Sequence, residues 1–357
     1  MPPIYLDYNA STPIDPAVAK AMQPFLKEAF GNPSSGHWAS TPAKAALERA
    51  RTQVAALIGA APDEIVFTSG GSEANNLAIK GTFFAPNRHG AHIITSAIEH
   101  PAVLAPCRFL ERLGASVTHV PVDRTGGVDP DGVRRAITPQ TTLISIMHAN
   151  NEVGTIQPIR MIGEVAREHG IRFHTDAAQS VGKISTNVNE LSVDFLSIAG
   201  HKLYAPKGVG ALYVRGGLEL EPLIHGADHE LGRRAGTESV LLAVGLGAAS
   251  ALGQDLAPME RVRALRDGFW HALQDRFGDH VVLNVCDTSF AQHPQRVICR
   301  QDRCGYPGTT QRCRGIDWFS VPLGTDRALA RSCRDGRAGE NWNGSSPLQP
   351  RAHDDER

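Results

Sequence analysis

Three patterns that would assign this chain to a specialised class of protein are missing from it. Its six cysteines include no Cys-X-X-Cys pair and have no regular spacing, so neither a disulfide framework nor a cysteine metal site is predicted. No apolar run is long enough to cross a bilayer. The first residues, MPPIYLDYNA, lack the charged and then apolar pattern of a signal peptide. We therefore predict a cytoplasmic protein with reduced thiols and no membrane partner.

Positively and negatively charged side chains are also nearly equal in number. The chain has 36 Lys and Arg against 37 Asp and Glu, a formal net charge of -1. No global field is available to recruit nucleic acid or an anionic membrane. A length of 357 residues with 41% hydrophobic content is enough to bury a sizeable core in one large domain or two.

Short apolar strands alternate with helical stretches from about residue 40 to residue 250. The strand candidates are rich in Val, Ile, Phe and Thr: EIVFTS, AHIITSA, SVTHVPV, TLISIMHA, IRFHTDA, DFLSIAG and GALYVR. The helix candidates are the amphipathic segments TPAKAALERARTQVAALIG and IRMIGEVAREHG, and the apolar segment 238–254. This alternation predicts an α/β fold with a mostly parallel sheet covered by helices on both faces.

Changes in composition and hydrophobic pattern divide the chain into three parts. Residues 15–250 are expected to form a large domain, whereas residues 1–14 and 251–290 are expected to belong to a smaller second domain. Residues 291–357 are dense in Arg, Gly, Pro and Cys and have neither hydrophobic period, which is typical of a disordered tail. The second domain is therefore expected to be malformed.

Two ionisable residues follow one of the predicted strands. His201 and Lys202 come directly after DFLSIAG, and a strand end in an α/β protein opens toward the crevice where ligands bind. An isolated lysine is usually solvated. Whether Lys202 has a function therefore depends on which residues follow the other predicted strands.

Polar residues end four more of the predicted strands. Gly70, Gly71 and Ser72 precede a helix, where they either make a tight turn or bind a phosphate through free N–H groups. Asp176, with Gln179 three residues later, either caps the next helix or holds a pyridine nitrogen protonated.

The other two strand ends contribute amides and a histidine. Asn150 and Asn151 either start a turn or hydrogen-bond a ligand, and His100 is either structural or an acid–base group that stacks on a flat cofactor. A phosphate site, an aspartate, amides, a histidine and a lysine at one sheet edge together match pyridoxal phosphate (PLP) chemistry. In that chemistry Lys202 binds the cofactor covalently and Asp176 draws electrons through its ring.

Eight stretches of the chain resemble the cysteine desulfurase and selenocysteine lyase group of the class V aminotransferases, which are PLP-dependent enzymes of fold type I. They span residues 4 to about 250 in family order: YLDYNASTP, GNPSSGH, TSGGSEANN, EHPAV, MHANNEVG, HTDAAQSVGK, GHKLYAPKGVGALYVR and GRRAGTES.

The resemblance implies a role for each matched site residue. Lys202, His100 and Asp176 are implied in catalysis, as the cofactor-binding lysine, the group stacked over the ring and the partner of the pyridine nitrogen. The implied cofactor contacts also include Gly71, Ser72, His201, Gln179 and Asn151. Asn151 and Asn32 are implied at the substrate, and Thr237 is implied to reach the phosphate of the other subunit, so a homodimer is expected.

The activity that the resemblance implies is removal of sulfur from L-cysteine, giving alanine and a persulfide on an enzyme cysteine. A sulfur-acceptor protein in iron–sulfur cluster assembly or thiolation is the expected partner, and no resident metal is expected. Two alternatives stay open, a selenocysteine lyase and a catalytically silent PLP-binding protein.

Two family motifs are missing from the chain, the S-G-S-A-C segment with the nucleophilic cysteine and the later R-F-S-L-G segment with the substrate arginine. Cys333, in ARSCRDG, matches the first only superficially. Shifted by one base, however, one permitted choice of synonymous codons can give P-N-T-L-N-V-S-F for residues 291–298, T-G-S-A-C for 317–321 and R-F-S-L-G for 347–351. We therefore hypothesise that the chain after about residues 287–291 is read one base out of frame, either through a true mutation or through a sequencing artefact, and that the chain as given is impaired in catalysis.

Overall fold

The computed structural model describes residue 5 and residues 7–86, 89–283 and 297–299. Its helices are α1 (Pro16–Met22), α2 (Pro24–Lys27), α3 (Thr41–Ile58), α4 (Gly71–Phe84), α5 (Pro101–Glu111), α6 (Pro130–Ala136), α7 (Ile159–Glu168), α8 (Val240–Leu252) and α9 (Ala257–Phe277). Its strands are β1 (Ile65–Thr68), β2 (His92–Ser96), β3 (Ser116–Val120), β4 (Thr141–Ser145), β5 (Arg172–Asp176), β6 (Phe195–Ala199), β7 (Gly210–Val214), β8 (Val281–Leu283) and β9 (Val297–Cys299).

All seven strands predicted between residues 40 and 250 form, and they make one sheet in the order β1-β7-β6-β5-β4-β2-β3. Strand β7 is antiparallel to both of its neighbours, whereas the pairs among β2, β3, β4, β5 and β6 are parallel. Since β1 and β6 are both antiparallel to β7, they run in the same direction. Six of the seven strands therefore end at one edge, as the predicted mostly parallel α/β fold requires.

Helices cover both faces of the sheet and bury all of its strands except the edge strand β3, which is partly exposed. On one face, Val54 of α3, Ile162 of α7 and Leu246 of α8 belong to one apolar cluster. On the other face, Leu77 of α4 and Leu110 of α5 belong to a second cluster. The predicted amphipathic and buried helices at 41–59, 159–170 and 238–254 are thereby confirmed as α3, α7 and α8.

Beyond α8 the described chain continues as α9, none of whose residues is buried among the described residues, and as the antiparallel pair β8–β9. The predicted disordered tail and the proposed frame change lie almost entirely outside the described residues. The boundary between two domains near residue 250 stays a prediction. Within the described part, no single helix is long and apolar enough to cross a membrane; only α8 and the following segment to His280, bent by 75°, meet that requirement together.

A buried ion pair anchors the segment that leads to α8. Arg51 of α3 donates to both carboxylate oxygens of Glu230, at 2.7 and 2.9 Å, and the same carboxylate accepts the N–H of Phe67 at 2.8 Å. The two side chains are only 9% and 1% exposed. The Glu230 backbone is in the left-handed region, at φ 48°, a conformation that this carboxylate anchor holds in place.

We expect Arg51→Met to lower the free energy of unfolding by about 3–5 kcal/mol, because the Glu230 carboxylate would remain buried without its counter-charge. Urea unfolding followed by circular dichroism measures the change. Arg160→Met is the matched control: Arg160 pairs with Glu164 on the exposed surface of α7, and we expect a loss of no more than about 1 kcal/mol there. Equal losses in the two variants would contradict this assignment.

Candidate active site

A cleft of about 580 Å³ opens at the edge of the sheet where six strands end. Eight of the ten site residues predicted from the sequence line it: Gly71, Ser72, His100, Asn151, Asp176, Gln179, His201 and Lys202. They come from the ends of β1, β2, β4, β5 and β6, so the parallel arrangement of the strands brings them together.

The first wall of the cleft is the N-terminus of α4. Gly70 precedes the helix at φ 152°, a backbone conformation that favours glycine. A side chain on Gly71 would approach the Ala199 Cβ to 3.1 Å, so glycine keeps this turn close to the end of β6. The free N–H groups of the first helical turn and the helix dipole favour a bound anion such as a phosphate.

A salt bridge ties this turn to a distant loop. Glu73 accepts the N–H of Ser69 at 2.8 Å and the Arg234 Nε at 2.9 Å. Burial alone would raise the pKa of Glu73, but the hydrogen bonds from Arg234 and Ser69 outweigh it and the pKa is lowered. Glu73 therefore stays ionised, and it holds the loop around Arg234 against the N-terminus of α4.

Asp176, the last residue of β5, carries the buried carboxylate of the cleft, with 6% of its surface exposed. One oxygen accepts the Asn75 side-chain amide at 2.6 Å and the other accepts the N–H of Ala178 at 2.9 Å. The Asn75 carbonyl oxygen is buried and has no partner among the described residues. Asn75 was not singled out from the sequence, although it lies in the same TSGGSEANN segment.

Lys202 lies in a short turn (Gly200–Lys202) directly after β6. Its amine donates to the backbone carbonyls of Asn9 and, at 3.0 Å, Ala10. Desolvation lowers the pKa of Lys202, an effect that Asp7 and Asp176 partly oppose. The lysine thus has an amine that loses its proton more easily than an exposed one, and no carboxylate forms an ion pair with it among the described residues.

Two histidines, His100 and His201, line the same cleft as Lys202 and the turn at Gly70 and Gly71. His100 caps α5, where its Nδ1 accepts the N–H of Ala102 at 3.0 Å; Nδ1 is therefore unprotonated and the ring proton is on Nε2. His201 precedes Lys202, and burial, with the charges of Lys202 and Lys207, lowers its pKa. Both rings line the cleft.

The amide side chains of Asn150, Asn151 and Gln179 differ in role: one stabilises a turn and two line the cleft. Asn150 accepts the N–H groups of Glu152 and Val153 at 2.7 and 2.9 Å. It therefore stabilises the turn, which is the first of the two roles considered for it above. Asn151, its neighbour, lines the cleft. Gln179 also lines it, with its Nε2 donating to the Asn9 carbonyl at 3.1 Å.

Two predicted site residues are not among those that line the cleft. Asn32 is exposed, and its side chain accepts the N–H of Ser34 at 2.9 Å. Thr237 is also exposed, in the loop that Arg234 anchors. The two loops meet through Ser34 and His229, whose Oγ and Nδ1 lie 3.2 Å apart.

A fully buried carboxyl lies behind the cleft at Glu99, a residue that sequence reasoning missed. One of its oxygens accepts from the Ser96 hydroxyl at 2.6 Å and from the N–H of Met147 at 2.9 Å; the other has no partner among the described residues. Burial, with a smaller contribution from Asp176, raises the pKa of Glu99 to about 8. Glu99 is therefore protonated at neutral pH.

We expect the contribution of Glu99 to the free energy of unfolding to fall as the pH rises from about 5 to 8, because the unfolded chain ionises Glu99 while the folded chain keeps it protonated. Glu99→Gln removes this contribution, so the wild type should lose free energy of unfolding relative to the variant as the pH rises. Urea unfolding at several pH values measures it, and Glu111→Gln, at an exposed acid that ends α5, is the control. Parallel curves for the wild type and Glu99→Gln would contradict the raised pKa.

Of the cysteines, Cys107 is the one whose side chain the structure describes. It is buried in α5, and desolvation, with the charges of Glu99 and Glu111, raises the pKa of its thiol to about 12. Cys107 is therefore a packing residue and has no nucleophilic role. Cys333 lies outside the described residues.

Comparison with known proteins identifies the family. The sequence pattern of the aminotransferase class-V family matches residues 4–299. The cysteine desulfurase IscS of Dictyoglomus turgidum is 54% identical over 283 residues, which are 79% of this chain and 72% of that protein. The IscS of Pectobacterium carotovorum is 50% identical over 280 residues, 76% of this chain and 69% of that protein.

Solved structures agree with the sequence comparison. SspA in complex with cysteine has a TM-score of 0.76 and 43% identity, over 84% of each chain. A NifS-like protein has a TM-score of 0.78 and 34% identity, over 83% of this chain and 81% of that one. The chain therefore belongs to the class V aminotransferase family, whose enzymes depend on pyridoxal 5'-phosphate.

Proposed function

We propose that this protein is a PLP-dependent cysteine desulfurase that converts L-cysteine to alanine and leaves the sulfur as an enzyme persulfide. The observation that carries the proposal is the convergence of the Lys202 amine, the Asp176 carboxylate and the N-terminus of α4 on one cleft. The names of the IscS relatives and the cysteine bound to SspA support L-cysteine as the substrate.

The residues of the cleft fit the cofactor. Its phosphate fits the free N–H groups of α4, where Gly71 leaves no side chain in the way and Ser72 and His201 lie close by. Its pyridine nitrogen fits Asp176, whose carboxylate Asn75 already orients. The unpartnered Asn75 carbonyl gives the same wall a further acceptor.

When bound, the cofactor supplies an electron sink that labilises the Cα proton of an amino acid. The protein's own contribution begins with Lys202, whose amine is proposed to move the Cα proton and gives up its own proton more easily than an exposed lysine, because desolvation lowers its pKa. His100 presents a protonated Nε2, since its Nδ1 is engaged at the helix. Asn151 and Asn32 are proposed to bind the substrate.

Two further roles depend on chains that the structure does not contain. We propose that the exposed Thr237 reaches the cofactor phosphate of a second subunit, so that the enzyme works as a homodimer. An acceptor protein in iron–sulfur cluster assembly or a thiolation pathway is proposed to take the sulfur. The anchoring of the Thr237 loop by Arg234 and Glu73 supports the first role.

The persulfide step is proposed to be impaired in the chain as given. That step needs an accessible thiolate, and Cys107 is buried with its pKa raised to about 12. Under the hypothesis of a frame change, the family's cysteine motif is encoded only in the shifted frame of residues 317–321, which lie outside the described residues. The cleft can accordingly load its cofactor while sulfur transfer fails.

Loading with PLP and then with L-cysteine tests this function. We expect a visible absorption band on loading, a change of that band with L-cysteine, and sulfide release close to background. L-Selenocysteine added in parallel distinguishes a selenocysteine lyase, which would turn over the selenium compound much faster. A chain that binds no PLP would overturn the proposal.

A further inference from the structure

Lys183 is a second lysine close to the active-site cleft. It follows β5 and lines a cavity of about 180 Å³ that also contains Lys202. Lys202 lines both this cavity and the cleft, and its charge acts on Lys183, so the two amines are neighbours. Lys183 forms no ion pair with any described residue.

The hydrogen bond that Lys183 does make is to a cleft residue. Its Nζ donates to the Gln179 Oε1 at 3.3 Å. At the other end of the same amide, the Gln179 Nε2 donates to the Asn9 carbonyl at 3.1 Å, and that carbonyl also accepts the Lys202 amine. A continuous chain of hydrogen bonds therefore runs from Lys183 through Gln179 and Asn9 to Lys202.

This chain determines which way the Gln179 amide points. An ammonium group can only donate, so it faces the amide oxygen, and a backbone carbonyl can only accept, so it faces the amide nitrogen. Reversing the amide would place donor against donor at Lys183 and acceptor against acceptor at Asn9. One N–H of Gln179 is used by Asn9, and the second is left for the cleft that Gln179 lines.

We propose that Lys183 is a positioning residue that fixes the Gln179 amide so that its free N–H donates to an oxygen of the ligand bound in the cleft. The inference rests on the proposed function, because that ligand is PLP. It assigns to Lys183 a role in cofactor binding that is exerted through Gln179.

The surroundings of Lys183 make this role dependent on pH. Five ionisable side chains share its cavity: Tyr8, Asp15, Lys202, Tyr204 and Asp255. Burial and the charge of Lys202 lower the pKa of Lys183 to about 7. Below that pH the Lys183 amine is charged, acts only as a donor and makes a stronger, charge-assisted hydrogen bond to Gln179. Above that pH the neutral amine can also accept, so its hydrogen bond to the Gln179 amide is weaker and fixes the orientation of the amide less well.

A double-mutant cycle on the full chain tests the role, with the dissociation constant of PLP as the readout. We expect Lys183→Met to weaken PLP binding by roughly tenfold at about pH 6.5, the loss of one hydrogen bond to a charged group. In the Gln179→Met background the same substitution should have little further effect, because its target is gone. At about pH 8.5 the coupling between the two positions should shrink.

Two more variants separate positioning from general stability. Lys183→Arg keeps a charged donor and should retain most of the affinity, and Lys44→Met, at an exposed lysine of α3, should change nothing. Additive effects of Lys183→Met and Gln179→Met, or a coupling that does not vary with pH, would overturn the inference. Absence of PLP binding in the wild type would instead overturn the proposed function, so the two failures are distinguishable.

Discussion

Lys202→Ala is expected to leave the protein unable to retain PLP after borohydride reduction, whereas the wild-type chain keeps the cofactor attached at that lysine. The reason is that Lys202 is the proposed attachment site, with an amine whose pKa is lowered by desolvation. Peptide mass mapping after reduction measures the attachment. In a chain able to complete catalysis, alanine formation from L-cysteine should fall by at least about a thousandfold.

Lys207→Ala is the matched control for this substitution. Lys207 lies five residues further along and is exposed, so its loss should leave both attachment and alanine formation unchanged. If borohydride fixed the cofactor equally well to the Lys202→Ala protein, another amine would be the attachment site. Lys183 would then be the first residue to test.

Restoring the reading frame near residues 287–291 is expected to raise sulfide release from L-cysteine by roughly a thousandfold or more, the effect of supplying a missing nucleophile. The restored chain would contain P-N-T-L-N-V-S-F, T-G-S-A-C and R-F-S-L-G in this order. Sulfide and alanine production by the two chains, each loaded with PLP, measures the gain. PLP binding itself should change much less, because the cleft is built from residues before 210.

The control is a restored chain in which the cysteine of T-G-S-A-C is replaced by alanine. It should load PLP normally and release sulfide no faster than the chain as given. Equal sulfide release by the given and the restored chains would refute the hypothesis of a frame change. So would a gene sequence in which the shifted frame encodes none of the three motifs.

The sheet and the position of the site could be predicted from sequence because both depend on local patterns. Strands such as Phe195–Ala199 are buried along their whole length, so they are continuous apolar runs in the sequence. Polar residues then follow at the strand ends, as His201 and Lys202 do after β6. Parallel strands bring such ends to one edge, and the cleft lies there.

The contacts that orient the site residues could not be predicted in this way. Asn75 meets Asp176 across 101 positions of sequence, and Lys202 meets the Asn9 carbonyl across 193. Nothing in the sequence around Glu99 marks it, and its pKa is raised by burial and, to a smaller extent, by the distant Asp176. Such partners are set by tertiary packing, which neither hydrophobic period nor motif spacing encodes.

The carbonyls that hold the Lys202 amine belong to the start of the chain. Thr12 joins the same connection, since its N–H donates to the His201 carbonyl at 2.9 Å. During synthesis, Asn9 and Thr12 leave the ribosome long before their partners exist, and they must wait for nearly two hundred residues to follow. Closure of so long a loop is slow, and the carbonyls of Asn9 and Ala10 can accept the Lys202 amine only once β1 to β6 have been synthesised.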